Sequence, residues 1–132
     1  MVNGPDLWDH ILKQLPKGSV IAGGAIRDYL LHLPPKDIDV FYSHKKAKGL
    51  DEAWDHARRS GFFTIPGNDE HKEEYEALER IHTVTRKPNV AGFQVDFVIL
   101  NDGKTTGKSV IKDFDFGIAR GYYDGELFIS RE

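Results

Sequence analysis

The chain has 132 residues, 18 basic and 21 acidic, for a formal net charge of −3. That length suits one domain, expected to span residues 1–132, and 39% hydrophobic with 30% charged residues is a globular composition. With no cysteine there is no disulfide, iron–sulfur cluster or thiolate–zinc site, and the acidic balance argues against a tight nucleic-acid coat protein. Apolar runs are too short to cross a membrane, and the charged N-terminus is unlike a signal peptide, so a cytoplasmic protein is expected.

Leu7, Ile11, Leu12 and Leu15 stand at helical spacing, which predicts a helix over 6–15 stopped by Pro16 and Gly18. Residues 19–22 read as a short apolar strand broken by Gly23-Gly24. A second helix is expected over 25–32, ended by Pro34-Pro35. In the strand expected over 37–42, Ile38, Val40 and Tyr42 share one face, and Asp37, Asp39 and Phe41 share the other. A basic loop, 44–49, precedes a helix over 50–60 and a strand over 62–65. Two strands, 78–86 and 90–100, are expected around a Lys87-Pro88-Asn89 link. A short helical turn is read at 110–114. The end reads as a hairpin, 117–123 and 126–130, turning at Asp124-Gly125. The sum is a mixed α/β domain, and Trp8 and Trp54 are core residues.

One segment carries chemistry. Two glycines between a strand and a helix let backbone amides approach a ligand, and a helix N-terminus suits phosphate. Asp37 and Asp39, two apart on a strand, converge on one face. Such carboxylates repel unless cations lie between them, and oxygen-only ligands select hard ions such as Mg²⁺. A phosphate cradle beside paired carboxylates is what phosphoryl transfer with two Mg²⁺ ions requires. The six histidines show no zinc spacing. Lys45, Lys46 and Lys48 are either a solvated loop or a contact to phosphates. His82 and Arg86 read as core or surface residues, with a cleft-facing role as the sharper alternative.

The string GGAIRDYLLHLPPKDIDVF resembles the signature of the polymerase-beta-like nucleotidyltransferase superfamily, nearest to its CCA-adding enzyme and bacterial poly(A) polymerase branch. The likeness covers residues 19–42, and His32-Leu33 stands where that branch has Gly-Arg. It implies an α+β nucleotidyltransferase core, a mixed sheet with helices packed on one face. It also implies transfer of a nucleoside monophosphate from an NTP to an acceptor hydroxyl with release of pyrophosphate. In that scheme Asp37 and Asp39 bind Mg²⁺, Gly23 and Gly24 hold the phosphates, and Arg27 and Asp28 support them or orient the loop. Asp28 is equally a cap or a partner of Lys36. A third carboxylate is implied on a neighbouring strand. Asp96, a charge inside an apolar strand, is favoured over Asp115, whose Phe-Asp-Phe setting resembles small phage nucleotidyltransferase-like domains. Asp96 should then lie beside the Asp37 strand with Gln94 and Val98 on its face. CCA-adding enzymes continue with helical domains that have no counterpart here, so the acceptor stays open: RNA, tRNA or protein. Two further classes remain: a toxin- or antitoxin-like or phage protein that modifies or binds a protein partner, acting in the host cytoplasm, and a non-catalytic nucleotide-binding module.

Overall fold

The computed structural model describes residues 2–65, 81–101 and 120–130. The expected helical turn at 110–114 and the rival carboxylate Asp115 lie outside these residues. The described residues form three helices and one seven-stranded mixed sheet, in the order β3-β4-β5-β2-β1-β6-β7. The helices are α1 (Pro5–Leu12), α2 (Gly24–Leu30) and α3 (Ala47–Arg59). The strands are β1 (Val20–Ala22), β2 (Asp37–Ser43), β3 (Phe63–Thr64), β4 (Ile81–Val90), β5 (Phe93–Leu100), β6 (Arg120–Tyr123) and β7 (Leu127–Ser130). The α+β class expected from the sequence is the one observed. Among the described residues, no helix is long and apolar enough to cross a membrane.

β2 and β5 are parallel at the centre of the sheet, and every other pair is antiparallel. Alternation along these strands separates two apolar faces. Ile21, Ile38, Val40, Val95, Phe97 and Ile99 pack with Leu7, Trp8 and Ile11 of α1, Ala25 and Ile26 of α2, and Leu50, Ala53 and Ala57 of α3. A smaller cluster, Ala22, Phe41, Val98 and Leu100, occupies the other face. A central strand buried on both sides is what the apolar run of β5 encodes.

Most boundaries shift by a residue or two from the sequence reading, and three larger differences have local reasons. α1 stops at Leu12 because the Gln14 and Leu15 amides bond the carbonyls three residues back, and Pro16 then lacks an N–H. α3 begins at Ala47, inside the basic stretch: the His44 ring accepts the Lys46 amide at 3.0 Å, and the Gly49 and Leu50 amides close on the Lys46 carbonyl. Burial of Leu50, Ala53 and Ala57 outweighs the unfavourable Lys48 in the first turn. The turn between the two long strands lies at Ala91-Gly92, both with positive φ (52° and 93°), and not at Lys87-Pro88-Asn89. Those three residues stay on β4, where a register shift between Lys87 and Val90 accommodates a proline that cannot donate to the ladder.

Tyr123 ties β6 to α1. Its hydroxyl donates to Asp9 Oδ1 at 2.6 Å, and its ring lies 5.1 Å from that of Trp8. Burial first, then the Asp9 hydrogen bond and the Asp9, Asp6 and Asp124 charges, push its pKa up to about 12. Because the folded pKa exceeds the ordinary 10.0, the folded state holds this proton more tightly. The stabilisation is complete below pH ~10 and is lost as pH rises through about 12. The Tyr123→Phe variant should therefore lose about 1 kcal/mol at neutral pH. It should also show a shallower decline above pH ~10, where the wild-type loss approaches 2–3 kcal/mol. Urea unfolding at pH 7, 10 and 11 checks both arms. Equal alkaline slopes for the two proteins would refute the assignment.

Candidate functional site

The face of the sheet opposite the helices carries the charged residues singled out in the sequence. Odd-numbered β2 residues point there, because Ile38 and Val40 are claimed by the helix-side core. Asp39 is the register partner of Asp96 on β5 and of Ala22 on β1, and Asp96 is the partner of Arg86 on β4. One row across four strands therefore reads Arg86, Asp96, Asp39, Ala22. Adjacent strands lie about 4.8 Å apart, so Asp39 and Asp96 are immediate neighbours on one face. Asp37 stands one step along the same face, where the Gln94 side-chain amide donates to its Oδ1 at 3.1 Å.

Asp96 is only 2% exposed. A carboxylate so buried needs a partner, and Arg86 supplies one in fork geometry. Arg86 Nε donates to Oδ1 at 2.7 Å and its Nη2 to Oδ2 at 3.1 Å. The sequence alone favours a core or surface role for Arg86 over a cleft-facing one and does not pair it with Asp96. The available signal was the demand of Asp96, inside an apolar strand, for a cation on an adjacent strand.

The Gly23-Gly24 turn follows directly on Ala22, at the end of this row. Gly23 has φ 84° and ψ −140°, a conformation only glycine adopts without strain, and its carbonyl accepts the Arg27 amide at 3.3 Å. Arg27 folds back over the turn: its Nη2 lies 3.4 Å from where a Gly24 Cβ would stand. Asp28, nearly buried, accepts Arg27 Nε at 3.2 Å and so orients that guanidinium, which is 45% exposed. Gly23→Ala should cost about 1–3 kcal/mol, whereas Gly24→Ala meets only a flexible side-chain tip at the first helical residue and should be neutral or slightly stabilising. Thermal melts of the two variants test this contrast, and equal losses would refute it.

The fold brings Asp37, Asp39, Asp96, Gly23, Gly24, Arg27 and Asp28 to one end of the central strands. It does not bring Lys45, Lys46 or Lys48 there. Those lysines follow the far end of β2, roughly 20 Å along the strand from Asp37. A surface depression lined by Glu52, Asp55, Arg58 and Arg59 belongs to α3 and shares no residue with the acidic face. Asp37 and Asp39 have the oxygen-only donor chemistry of a hard divalent cation. Asp96 does not join them as placed, since both its oxygens are on Arg86. Among the described residues, no three His, Cys, Asp or Glu side chains are grouped to hold a metal ion.

No curated protein and no solved structure matches the chain. A family model does, over residues 4–131, and it belongs to an anti-defense family and not to the polymerase-beta-like nucleotidyltransferases. That match corrects the resemblance drawn from residues 19–42. A glycine turn between strand and helix, followed by alternating acidic residues on the next strand, is a local pattern under a fifth of the chain long, and a match across nearly every residue outweighs it. The chain belongs to the Gabija anti-defense 2 family.

Proposed function

We propose that this chain is a phage anti-defense protein, acting in the host cytoplasm, that disables a protein component of the Gabija defence by nucleotidyl transfer. The observation that carries the chemistry is the Asp37–Asp39 face set directly beside the Gly23-Gly24 turn and the folded-back Arg27. In the reaction, a hydroxyl oxygen of the partner attacks the α-phosphorus of an NTP. The new O–P bond forms as the bond to the β-phosphate breaks, pyrophosphate leaves, and the hydroxyl proton passes to solvent. Asp37 and Asp39 would hold a divalent cation, Mg²⁺ in the cell. When bound, that ion supplies neutralisation of triphosphate charge. Backbone amides at Gly23 and Gly24 and the Arg27 guanidinium would hold the phosphates. A protein acceptor fits better than RNA or tRNA, because the family is defined by action against a defence system and the chain is net negative.

A second reading is favoured by one observation. Arg86 occupies both oxygens of Asp96, which suits a nucleotide-binding module that blocks its partner by stoichiometric binding. Intact-mass measurement separates the two. Each Gabija protein is incubated with the chain, Mg²⁺ and each NTP. Transfer adds one nucleoside monophosphate to one component with wild type and adds none with the Asp37→Ala/Asp39→Ala double variant. Unchanged masses, with both proteins still protecting phage, would replace transfer by binding.

A further inference from the structure

We infer that Asp96 is the fixed counter-ion of Arg86 and not a cation ligand, so that the acidic face offers two carboxylates to a cation and not three. Asp96 is almost fully buried, and the Arg86 side chain is 17% exposed, so separating the two leaves two poorly hydrated charges. Arg86 is also held in place from both sides along β4. Thr85 Oγ1 donates to the Phe97 carbonyl at 3.2 Å, while Lys87 Nζ donates to Gln14 Oε1 at 2.7 Å and to the Ser60 carbonyl at 2.9 Å. The flanking residues thus anchor β4 to β5 and to the helix layer, and the register that sets Arg86 opposite Asp96 cannot slip. A cation entering at Asp96 would have to break the two-bond fork between buried groups. Like charges directly opposite each other destabilise a sheet. By neutralising Asp96, Arg86 lets β5 run beside β2 with Asp39 next door.

The inference draws on the proposed function only for the cation at Asp37 and Asp39, and two measurements on the full chain keep the two claims apart. The first is thermal unfolding of wild type, Asp96→Asn, Arg86→Met and the double variant Arg86→Met/Asp96→Leu. Each single change should lower the midpoint by about ten degrees or more, and the double variant should recover at least about half of that loss. Arg86→Lys should recover less than Arg86 itself provides, because an ammonium cannot make the fork. The second is Mn²⁺ binding followed by electron paramagnetic resonance. Affinity should agree within about threefold (on the order of 0.7 kcal/mol) between wild type and the double variant. A tenfold weakening of Mn²⁺ binding in the folded double variant, or single losses that simply add, would overturn the inference. If wild type takes up no Mn²⁺, the cation assignment to Asp37 and Asp39 fails, while the coupling of the melting midpoints still upholds or overturns the ion pair.

Discussion

Asp39→Ala should reduce the proposed nucleotidyl transfer by a factor on the order of 10²–10³, the usual effect of removing one electrostatic element from a phosphoryl-transfer site. The same change should shift the melting temperature by no more than about five degrees. Asp39 is half-buried and shares its face with Asp37, so its removal relieves repulsion from that carboxylate, Asp96 being already neutralised by Arg86. A residue whose loss abolishes activity and does not harm the fold is maintained for function and not for stability. Initial rates and thermal melts on the same preparations decide the matter. Transfer within threefold of wild type would remove Asp39 from the site. A large fall in melting temperature would recast it as structural.

Phe97→Ala should be among the most damaging single core changes, at about 3–5 kcal/mol. Phe97 is fully buried at the centre of β5, with its ring 6.2 Å from those of both Phe62 and Tyr42. Neighbours drawn from different elements, β2 and the segment after α3, cannot close together into the space it leaves. Urea unfolding should show a lower midpoint with an unchanged slope, since the surface exposed on unfolding stays nearly the same. A cost below about 1 kcal/mol would mean that the helix layer collapses to fill the void.

The most legible part of the sequence was the alternation around the site. Asp37 and Asp39 among Ile38 and Val40, and Asp96 among Val95 and Phe97, tell their faces from the sequence alone, because a strand has only two. That Gln94 and Val98 share the face of Asp96 follows from the same parity. The β4–β5 turn was misplaced because Pro88 and Asn89 are strong turn residues in isolation, whereas cross-strand pairing and a bulge kept them on β4 and moved the reversal to Ala91-Gly92. The start of α3 is not legible because the bond from the Lys46 amide to His44 depends on a ring folding back over the next residues, and the lysine run conceals it. The pairing of Arg86 with Asp96 is not legible for a different reason. It is set by register with a strand partner, which no local window contains. Family membership was hidden in a similar way, since the resemblance rested on residues 19–42 whereas the family model matches residues 4–131.

The parallel pairing of β2 with β5 has a consequence for the order in which the protein assembles. Asp37 and Gln94, bonded across that pair, are 57 residues apart, so the two strands have no hairpin from which to zip and must meet by closing a long loop. On a ribosome adding 5–20 residues per second, roughly 3–11 s separate the synthesis of the two strands. β4 and β5, by contrast, are joined by a two-residue turn and find each other locally, on the microsecond scale of hairpins. The nascent chain thus completes its hairpin with Asp96 already in the grip of Arg86, and presents Asp39 with a neutralised neighbour and not a bare charge.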